Sequence, residues 1–505
     1  MENILKMEKR IRLGIWGLGR GGGFIKAAKN LGIDIVAGCD IDPSVRESFA
    51  EICPEVRLYS DDSEFLADQE MDAVLIATFF MDHADHAIRA LEAGFHVLSE
   101  VTSFFTPAQG VRLVETVERT GKFYQLLENY PFTKENMYLA KLWKDGFFGE
   151  FQYGEFDYLH NCRSLAYSYN LPGHPPLEPG WTVHSWRSWL NYHYYNTHSL
   201  GPLMRITGLR PERISAFPER IPLPGFPPSG ISYACPSMIQ MSNGGIMRNL
   251  MGTTTNDFHH GKRIWGTRAS AESMGNGLQI RIGADGNGLK VPVKPEWPEL
   301  GDLADSAGHG GGDFWELYYF LRFIATGEKA PWDIYAACDV TLAGIMAVRS
   351  QENNGDVMEI PDFRDPAVRE KYRNDHFCQT PPIDPERMFP DGHDQNVTSH
   401  FNSCILSMEK CSIVLRKALD GAKIYDQIPE KAMRLEVVRS VKKAQDLLPE
   451  LLKERSRAEQ MLQLYPECHA ADALRSMMQL AEPEILDGSL AENLNQIMNT
   501  ILEKD

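Results

Sequence analysis

Tyr158 and His160 stand two apart in QYGEFDYLHN, and Tyr195 and His198 stand three apart in YYNTHSLGPL. Positions two apart share one face of a strand. Positions three apart converge at a helix start. Each pair would then join a phenol to an imidazole, a combination that passes protons near neutral pH. A surface Tyr/His pair with no chemical role has the same spacing. Glu128, followed by Asn129, closes an apolar run (YQLLE). A carboxylate there either points into a cleft or serves a structural ion pair. His83 and His86 are i and i+3 at another helix start, which could hold a metal. No carboxylate or cysteine set completes that site, so no metal is expected and helix-end polar roles are the better reading. His309-Gly310-Gly311-Gly312-Asp313 is a glycine-rich turn before a helix whose first turn Asp313 could cap.

These groups need a scaffold, and residues 13–23, LGIWGLGRGGG, supply its first part. Gly17, Gly19 and Gly22 form a G-x-G-x-x-G loop between an apolar run and a helical pattern. Asp40 ends the next apolar run, IDIVAGC. That is the context of a dinucleotide site. Gly17 permits the tight turn, Gly19 lets the backbone approach a pyrophosphate, and Gly22 allows close helix–strand packing. The helix N-terminus adds N–H donors. Asp40 can accept from ribose hydroxyls and would repel a 2′-phosphate, with Asp42 adding to that repulsion, so NAD is expected rather than NADP. Residues 11–126 alternate RLGIWG, DIVAGCD, AVLIAT, HVLSE and YQLLE with amphipathic helices. Continuous apolar strands joined by helices predict a parallel sheet covered on both faces. Its ligand lies beyond the strand C-termini, which brings Arg20, Thr78, His83 and Glu100 to the rim.

The remaining chain divides in two. Residues 127–365 carry one more helix (133–146), an aromatic-rich loop (165–190), β-rich segments with Asn-Gly and Gly-Asn turns (212–295), and helices at about 313–326 and 332–352. They predict an α/β substrate domain with an open, mostly antiparallel sheet, its late helices packing back on the first domain. Residues 366–505 begin with a charged, proline-containing connection. They continue as a helical extension with turn signals at Gly421, Pro429, Pro449, Pro466 and Pro483, suited to packing or oligomerisation.

A chain of 505 residues is long enough for two or three domains with sizeable cores. Its net charge of −18 argues against nucleic-acid and anionic-membrane partners. No apolar stretch approaches a membrane span, and MENILKMEKRIRL lacks a signal peptide's apolar core. The nine scattered cysteines form no C-x-x-C pair. Reduced thiols and a cytoplasmic location are expected.

The ordered clusters resemble the Gfo/Idh/MocA oxidoreductase superfamily over residues 11 to about 365. The resemblance implies a Rossmann domain joined to an α/β domain with an open sheet. It departs at two places. The usual Glu-Lys-Pro, with its catalytic lysine, reads Glu100-Val101-Thr102 here, and Tyr194 stands where an aspartate precedes the histidine matched by His198. Those departures resemble the NAD-dependent glycosidase branch typified by glycoside hydrolase family 109. Its motifs are matched by Glu128-Asn129, Phe148-Gly149-Glu150, Tyr158-Leu159-His160, Trp186-Arg187, the run Tyr195 to Pro202, and His309 to Asp313. Asn196 replaces a proline of that branch and Ser199 a glycine.

By resemblance, Glu128, Tyr158, His160, Tyr195 and His198 are active-site positions, and Asn129, Trp186 and Arg187 join the cofactor contacts. The implied chemistry removes hydride from a sugar C3, deprotonates C2, eliminates the C1 group, adds water and returns the hydride. It has no need of the paired carboxylates of ordinary glycosidases. The expected partner is a small carbohydrate, and the resemblance implies a homo-oligomer, dimer or tetramer. A net NAD-dependent sugar or polyol dehydrogenase, and a non-catalytic NAD sensor, are the alternatives.

Overall fold

The computed structural model describes residues 9–160, 190–219, 221, 234–253, 259–283, 286–297, 300–379, 397–467, 469–479 and 490–504. These fall into two compact units, one holding both sheets and the other holding the helices beyond residue 397.

The first unit begins with six strands: β1 (Arg12–Trp16), β2 (Asp34–Cys39), β3 (Arg57–Tyr59), β4 (Ala73–Ile76), β5 (His96–Glu100) and β6 (Tyr124–Leu127). They pair in parallel in the order β3-β2-β1-β4-β5-β6. β4 and β6 are buried along their whole length, as strands covered on both faces must be. The order reverses between β1 and β4, the switch point at which a sheet of this kind places its ligand, beyond the strand C-termini. The outer edge of β6 is partly closed, because Leu126 N donates to the carbonyl of Trp332 (3.1 Å).

A mixed sheet of nine strands follows, comprising β7 (Phe151–His160), β8 (Pro211–Ala216), β9 (Ala234–Met241), β10 (Ile246–Thr253), β11 (Lys262–Gly266), β12 (Ala269–Ser273), β13 (Gln279–Ile282), β14 (Lys290–Pro292) and β15 (Met358–Glu359). Their order is β14-β13-β12-β11-β7-β10-β9-β8-β15. Only the central β7–β10 pair is parallel; the rest are antiparallel, as the alternating segments and Asn-Gly turns predict. The helix Thr197–Thr207 packs on β7 and β10. The helix Ile334–Glu352 is apolar nearly all round and buried accordingly. Asp333 caps it, accepting from Tyr335 N and Ala336 N (3.1 and 3.0 Å).

In the second unit, Val397–Lys423 and Lys431–Leu464 form an antiparallel hairpin, joined through the short turn Tyr425–Gln427. Helices His469–Gln479 and Leu490–Lys504 pack against it. Leu415, Ala418 and Leu419 meet Val441, Ala444, Leu448, Leu494 and Ile501 in one core. Two expected turns are absent: Pro449 lies inside a 34-residue helix and Gly421 inside a 27-residue one. Leu448 and Leu451, flanking the proline, are buried in that core, and their packing outweighs the one lost backbone bond.

His193 is wholly buried in the first unit, and burial pushes its imidazole down to about 4. The unfolded chain would take up that proton near pH 6.5. The stabilising effect of a neutral His193 is therefore complete above about 6.5 and is lost as pH falls from there towards 4. At pH 5 the loss is roughly 2 kcal/mol. Urea unfolding at pH 7.5 and pH 5 is expected to show a fall in stability that shrinks by this amount in His193→Leu. An equal fall in both proteins would contradict the assignment.

Candidate active site

The first turn after β1 has the backbone of a dinucleotide cradle. Gly17 sits at φ +92°, where a Cβ would strike the Ala77 carbonyl at 2.4 Å, and its N–H donates to Cys39 O (2.8 Å). A Cβ on Gly19 would meet no atom within 4 Å, so the cradle is open on that side. The close helix–strand approach falls one residue earlier than predicted. A Cβ on Gly21 would lie 2.4 Å from Ile15 Cγ2, whereas one on Gly22 would make only ordinary contact with Phe49. Asp40, at the C-terminal end of β2, accepts from Leu18 N (2.8 Å) and Asp42 N (2.9 Å). Burial raises its carboxyl against the pull of those two N–H groups. Each oxygen keeps a lone pair for a ribose hydroxyl. Asp42 caps the helix Pro43–Ile52 through Ser44 N (2.9 Å). The open glycine, the helix start and the acidic strand end together fit NAD.

Other rim residues hold the loops beyond the strands. His83 is buried with Nδ1 against Thr102 O (2.9 Å) and Nε2 against Thr78 O (3.1 Å), so it ties the turn after β4 to that after β5. The Thr78 hydroxyl meets His86 Nδ1 (2.9 Å), and His86 stacks on Trp16. The two histidines therefore serve different partners. Glu100 pairs with Arg20 Nε (2.7 Å), and Arg20 reaches Asp313 (3.3 Å). Asp313 also accepts from His309 Nδ1 (2.9 Å) and, weakly, from Asn129 Nδ2 (3.5 Å). Burial alone would raise the Asp313 carboxyl, but His309 and Arg20 outweigh it and hold it low. Of the two readings of this turn, the cap does not hold: Gly311, at φ +93°, is the N-cap of Gly312–Thr326, and the Asp313 carboxylate makes no capping bond. Trp186 and Arg187 lie outside the described residues.

The Tyr/His pairs do come together. Tyr158 and His160 lie on β7, with ring centroids 5.7 Å apart. The helix packed on that strand brings His198 to 4.7 Å from Tyr158, with Tyr195 at 4.5 Å from His198. His198 Nδ1 meets both oxygens of Glu128 (2.8 and 2.9 Å), and Glu128 Oε1 also accepts from Tyr130 N (3.1 Å). Glu128 is completely buried, so its charge rests on these partners. With Nδ1–H donating to the carboxylate, Nε2 carries the imidazole lone pair.

Two members escaped the sequence reading. Tyr130 lies 4.9 Å from Tyr158 and 4.8 Å from His198. His260 stacks on Tyr158 at 4.6 Å, and its Nδ1 meets the Tyr130 hydroxyl (3.3 Å). Burial, then the nearby His198, His160 and Lys262, pushes His260 down to about 4, so it is neutral at pH 7. Its position follows from pairing of remote segments, because Leu159 N donates to His259 O (2.9 Å) and Asp157 N to Gly261 O (2.8 Å). Tyr130 had a local signal: it follows Glu128 by two residues. A cavity of about 320 Å³ opens beside the cluster, lined by Tyr130, His198, His260, Asp157, Asn136 and Lys262 among others.

The departures at 196 and 199 explain one another. Asn249 Nδ2, on β10, donates to Asn196 Oδ1 (2.9 Å) and Ser237 Oγ (3.1 Å), and Ser199 Oγ donates to Asn249 Oδ1. All four are buried. They lock the start of the His198 helix onto β9 and β10. Tyr194 is buried too, accepting from Gln379 N (2.9 Å).

Comparison with known proteins agrees with this architecture. Residues 11–127 match the family model of the oxidoreductase family, NAD-binding Rossmann fold, and residues 293–370 match that of the glycosyl hydrolase 109 C-terminal domain. A glycosyl hydrolase family 109 protein of Shewanella sp. strain W3-18-1 is 25% identical over 70% of this chain and 85% of its own length. An alpha-N-acetylgalactosaminidase of Shewanella oneidensis is 27% identical over 71% and 86%. A levoglucosan dehydrogenase solved with NADH and levoglucosan shares the fold at 19% identity and TM-score 0.58, covering 70% of this chain and all of the other. The class is thus a Gfo/Idh/MocA-type oxidoreductase fold with an NAD-binding Rossmann domain. Within that class, the chain resembles glycoside hydrolase family 109. At family level, that means an NAD-dependent glycosidase or oxidoreductase.

Two substitutions separate cradle from scaffold. Gly17→Ala is expected to cost roughly 1–3 kcal/mol of stability through its positive φ and the Ala77 clash. Gly19→Ala is expected to leave the melting temperature unchanged and weaken NAD binding at least tenfold, since its methyl enters the open side of the cradle. Thermal melts with NAD titrations check both, and unweakened binding in Gly19→Ala would remove that side from the cofactor site. Asn249→Ala leaves Asn196, Ser199 and Ser237 short of partners and is expected to cost roughly 2–4 kcal/mol in urea unfolding. A change below 1 kcal/mol would show the network to be dispensable.

Proposed function

We propose that the protein is an NAD-dependent, redox-assisted glycoside hydrolase acting on small glycosides or oligosaccharides. The observation that carries this reading is the cluster of three tyrosines and three imidazoles around Tyr158, backed by the buried Glu128–His198 pair. The relatives named for glycoside hydrolase 109 support it. Bound NAD supplies a hydride acceptor, and later a hydride donor, at C3 of the sugar. A ketone at C3 acidifies the C2 proton, which Tyr158 or a neighbouring imidazole can take. Loss of the C1 group needs a proton in return, and addition of water needs a base. Tyr/His pairs supply both near neutral pH. Glu128 holds His198 in one tautomer, with Nε2 as the proton acceptor. Neutral His260, stacked on Tyr158, keeps that ring in place and adds no charge.

A net sugar or polyol dehydrogenase is the competing reading. The Glu128–His198 pair favours it to this extent, that a carboxylate-held imidazole also suits removal of a hydroxyl proton.

Incubation with aryl α- and β-glycosides, with and without added NAD⁺, separates the two. Aglycone release without net NADH is expected, with deuterium entering C2 in D₂O. Stoichiometric NADH from free sugars, or retention of the C2 hydrogen, would overturn the proposal. Tyr158→Phe is expected to lower turnover by roughly 10²-fold or more while NAD stays bound.

A further inference from the structure

Glu316, on the helix Gly312–Thr326, is wholly buried, and among the described residues neither carboxyl oxygen has a hydrogen-bond partner. An ionised carboxylate in that state would cost several kcal/mol, so the group is a neutral acid. Its charged neighbours come from four elements: Asp313 one turn back on its own helix, Glu100 at the end of β5, Arg20 from the glycine loop, and Glu128 just after β6. Burial, then Asp313 and Glu100, push the Glu316 carboxyl well above the usual carboxylate range, with Arg20 opposing and Glu128 adding to the rise. Three carboxyl groups, those of Glu100, Asp313 and Glu316, thus lie about the Arg20 guanidinium, with Glu128 a fourth beside Glu316. The site is poised for one more positive charge.

The cofactor brings such a charge. Its nicotinamide is cationic when oxidised and neutral when reduced. A dinucleotide on a sheet of this order lies beyond the C-terminal strand ends, where Glu100 and Glu128 stand. We propose that Glu316 is a redox-linked proton site of the cofactor pocket, holding its proton while NADH is bound and releasing it when NAD⁺ binds. The step is a single acid dissociation. The carboxyl O–H bond breaks, the carboxylate remains as counter-charge to the pyridinium ring, and no electron changes hands. The proton leaves to solvent; one turn back on the same helix, Asp313 is hydrogen-bonded to His309, whose side chain is 42% exposed. Hydride arriving on the ring would call the proton back, so the site would store the proton released when a hydroxyl is oxidised. The inference rests on the NAD site and is independent of the glycosidase reading.

Calorimetric titration of the full chain with NAD⁺, and separately with NADH, in two buffers of different ionisation enthalpy counts the protons. Close to one proton released per NAD⁺ and none per NADH is expected at neutral pH. Glu316→Gln, a neutral isostere, is expected to bind NAD⁺ with that release lost. Equal release with both nucleotides, or unchanged release in Glu316→Gln, would overturn the proposal. The infrared difference spectrum between NAD⁺- and NADH-bound wild type needs no variant. A lost carbonyl stretch of an un-ionised carboxyl in the NAD⁺ form is expected, and its persistence would equally overturn the assignment.

Discussion

The bond from Glu128 to His198 Nδ1 joins the last strand of the Rossmann sheet to the first turn of the helix on the second sheet. A carboxylate with no solvent exposure must have partners, and here they are one imidazole and one backbone N–H. Its aliphatic stem is equally constrained. A Cβ on Gly201 would come within 3.3 Å of Glu128 Cγ, Pro131 and Trp332, so the helix is near its closest approach at that residue. Trp332 in turn accepts the bond that extends β6. The pair therefore ties the end of β6 to the helix on the second sheet and orients His198. The frame shared by Tyr158 and His198 comes from the helix packing on β7 and β10, and Glu128 ties that frame to the end of β6.

Charge is distributed around that pair in two layers. The outer layer, where Tyr130, Tyr158, Tyr195, His160, His198 and His260 meet, is aromatic, and His260 is held neutral there. The inner layer carries the carboxyls of Glu100, Asp313 and Glu316 around Arg20, with Glu128 beside Glu316. On the proposed reading, an uncharged, hydroxylated sugar suits the first layer and a pyridinium ring suits the second. The layers meet at Glu128, which belongs to both.

Much of this was legible in the chain because it is local. Glycines at fixed offsets, an acidic residue at a strand end and continuous apolar runs predict the six-stranded sheet, and alternation with Asn-Gly turns predicts the mixed one. The approximate helix limits follow from periodicity. What escaped depends on long-range pairing. His260 is brought over Tyr158 by backbone bonds to β7, and Glu316 has meaning only beside residues far away in sequence. Asn196 and Ser199 look like departures until Asn249 is placed between them. Asp313 has the sequence position of a cap, yet Gly311 takes the positive φ there and frees the carboxylate to pair with Arg20. At Pro449 a local breaker loses to core packing, since the helix is held along its length by its neighbours.

Val101 gives the arrangement its direction. It is 7% exposed and stands where the superfamily's lysine is expected, so that position can neither take nor give a proton. Glu100, beside it, is paired with Arg20, and a guanidinium remains charged throughout any physiological cycle. Arg20 can therefore hold Glu100 and Asp313 in place but cannot move a proton at the substrate. On the proposed reading the proton work falls to groups that titrate or share protons near neutrality, and the strand and helix present phenols and imidazoles in pairs. The six rings come from β7, the His198 helix and the turns next to them, while the strand end after β5 carries no amine. On the proposed reading, proton transfer at the substrate lies with these rings, and the Rossmann side binds, orients and balances charge.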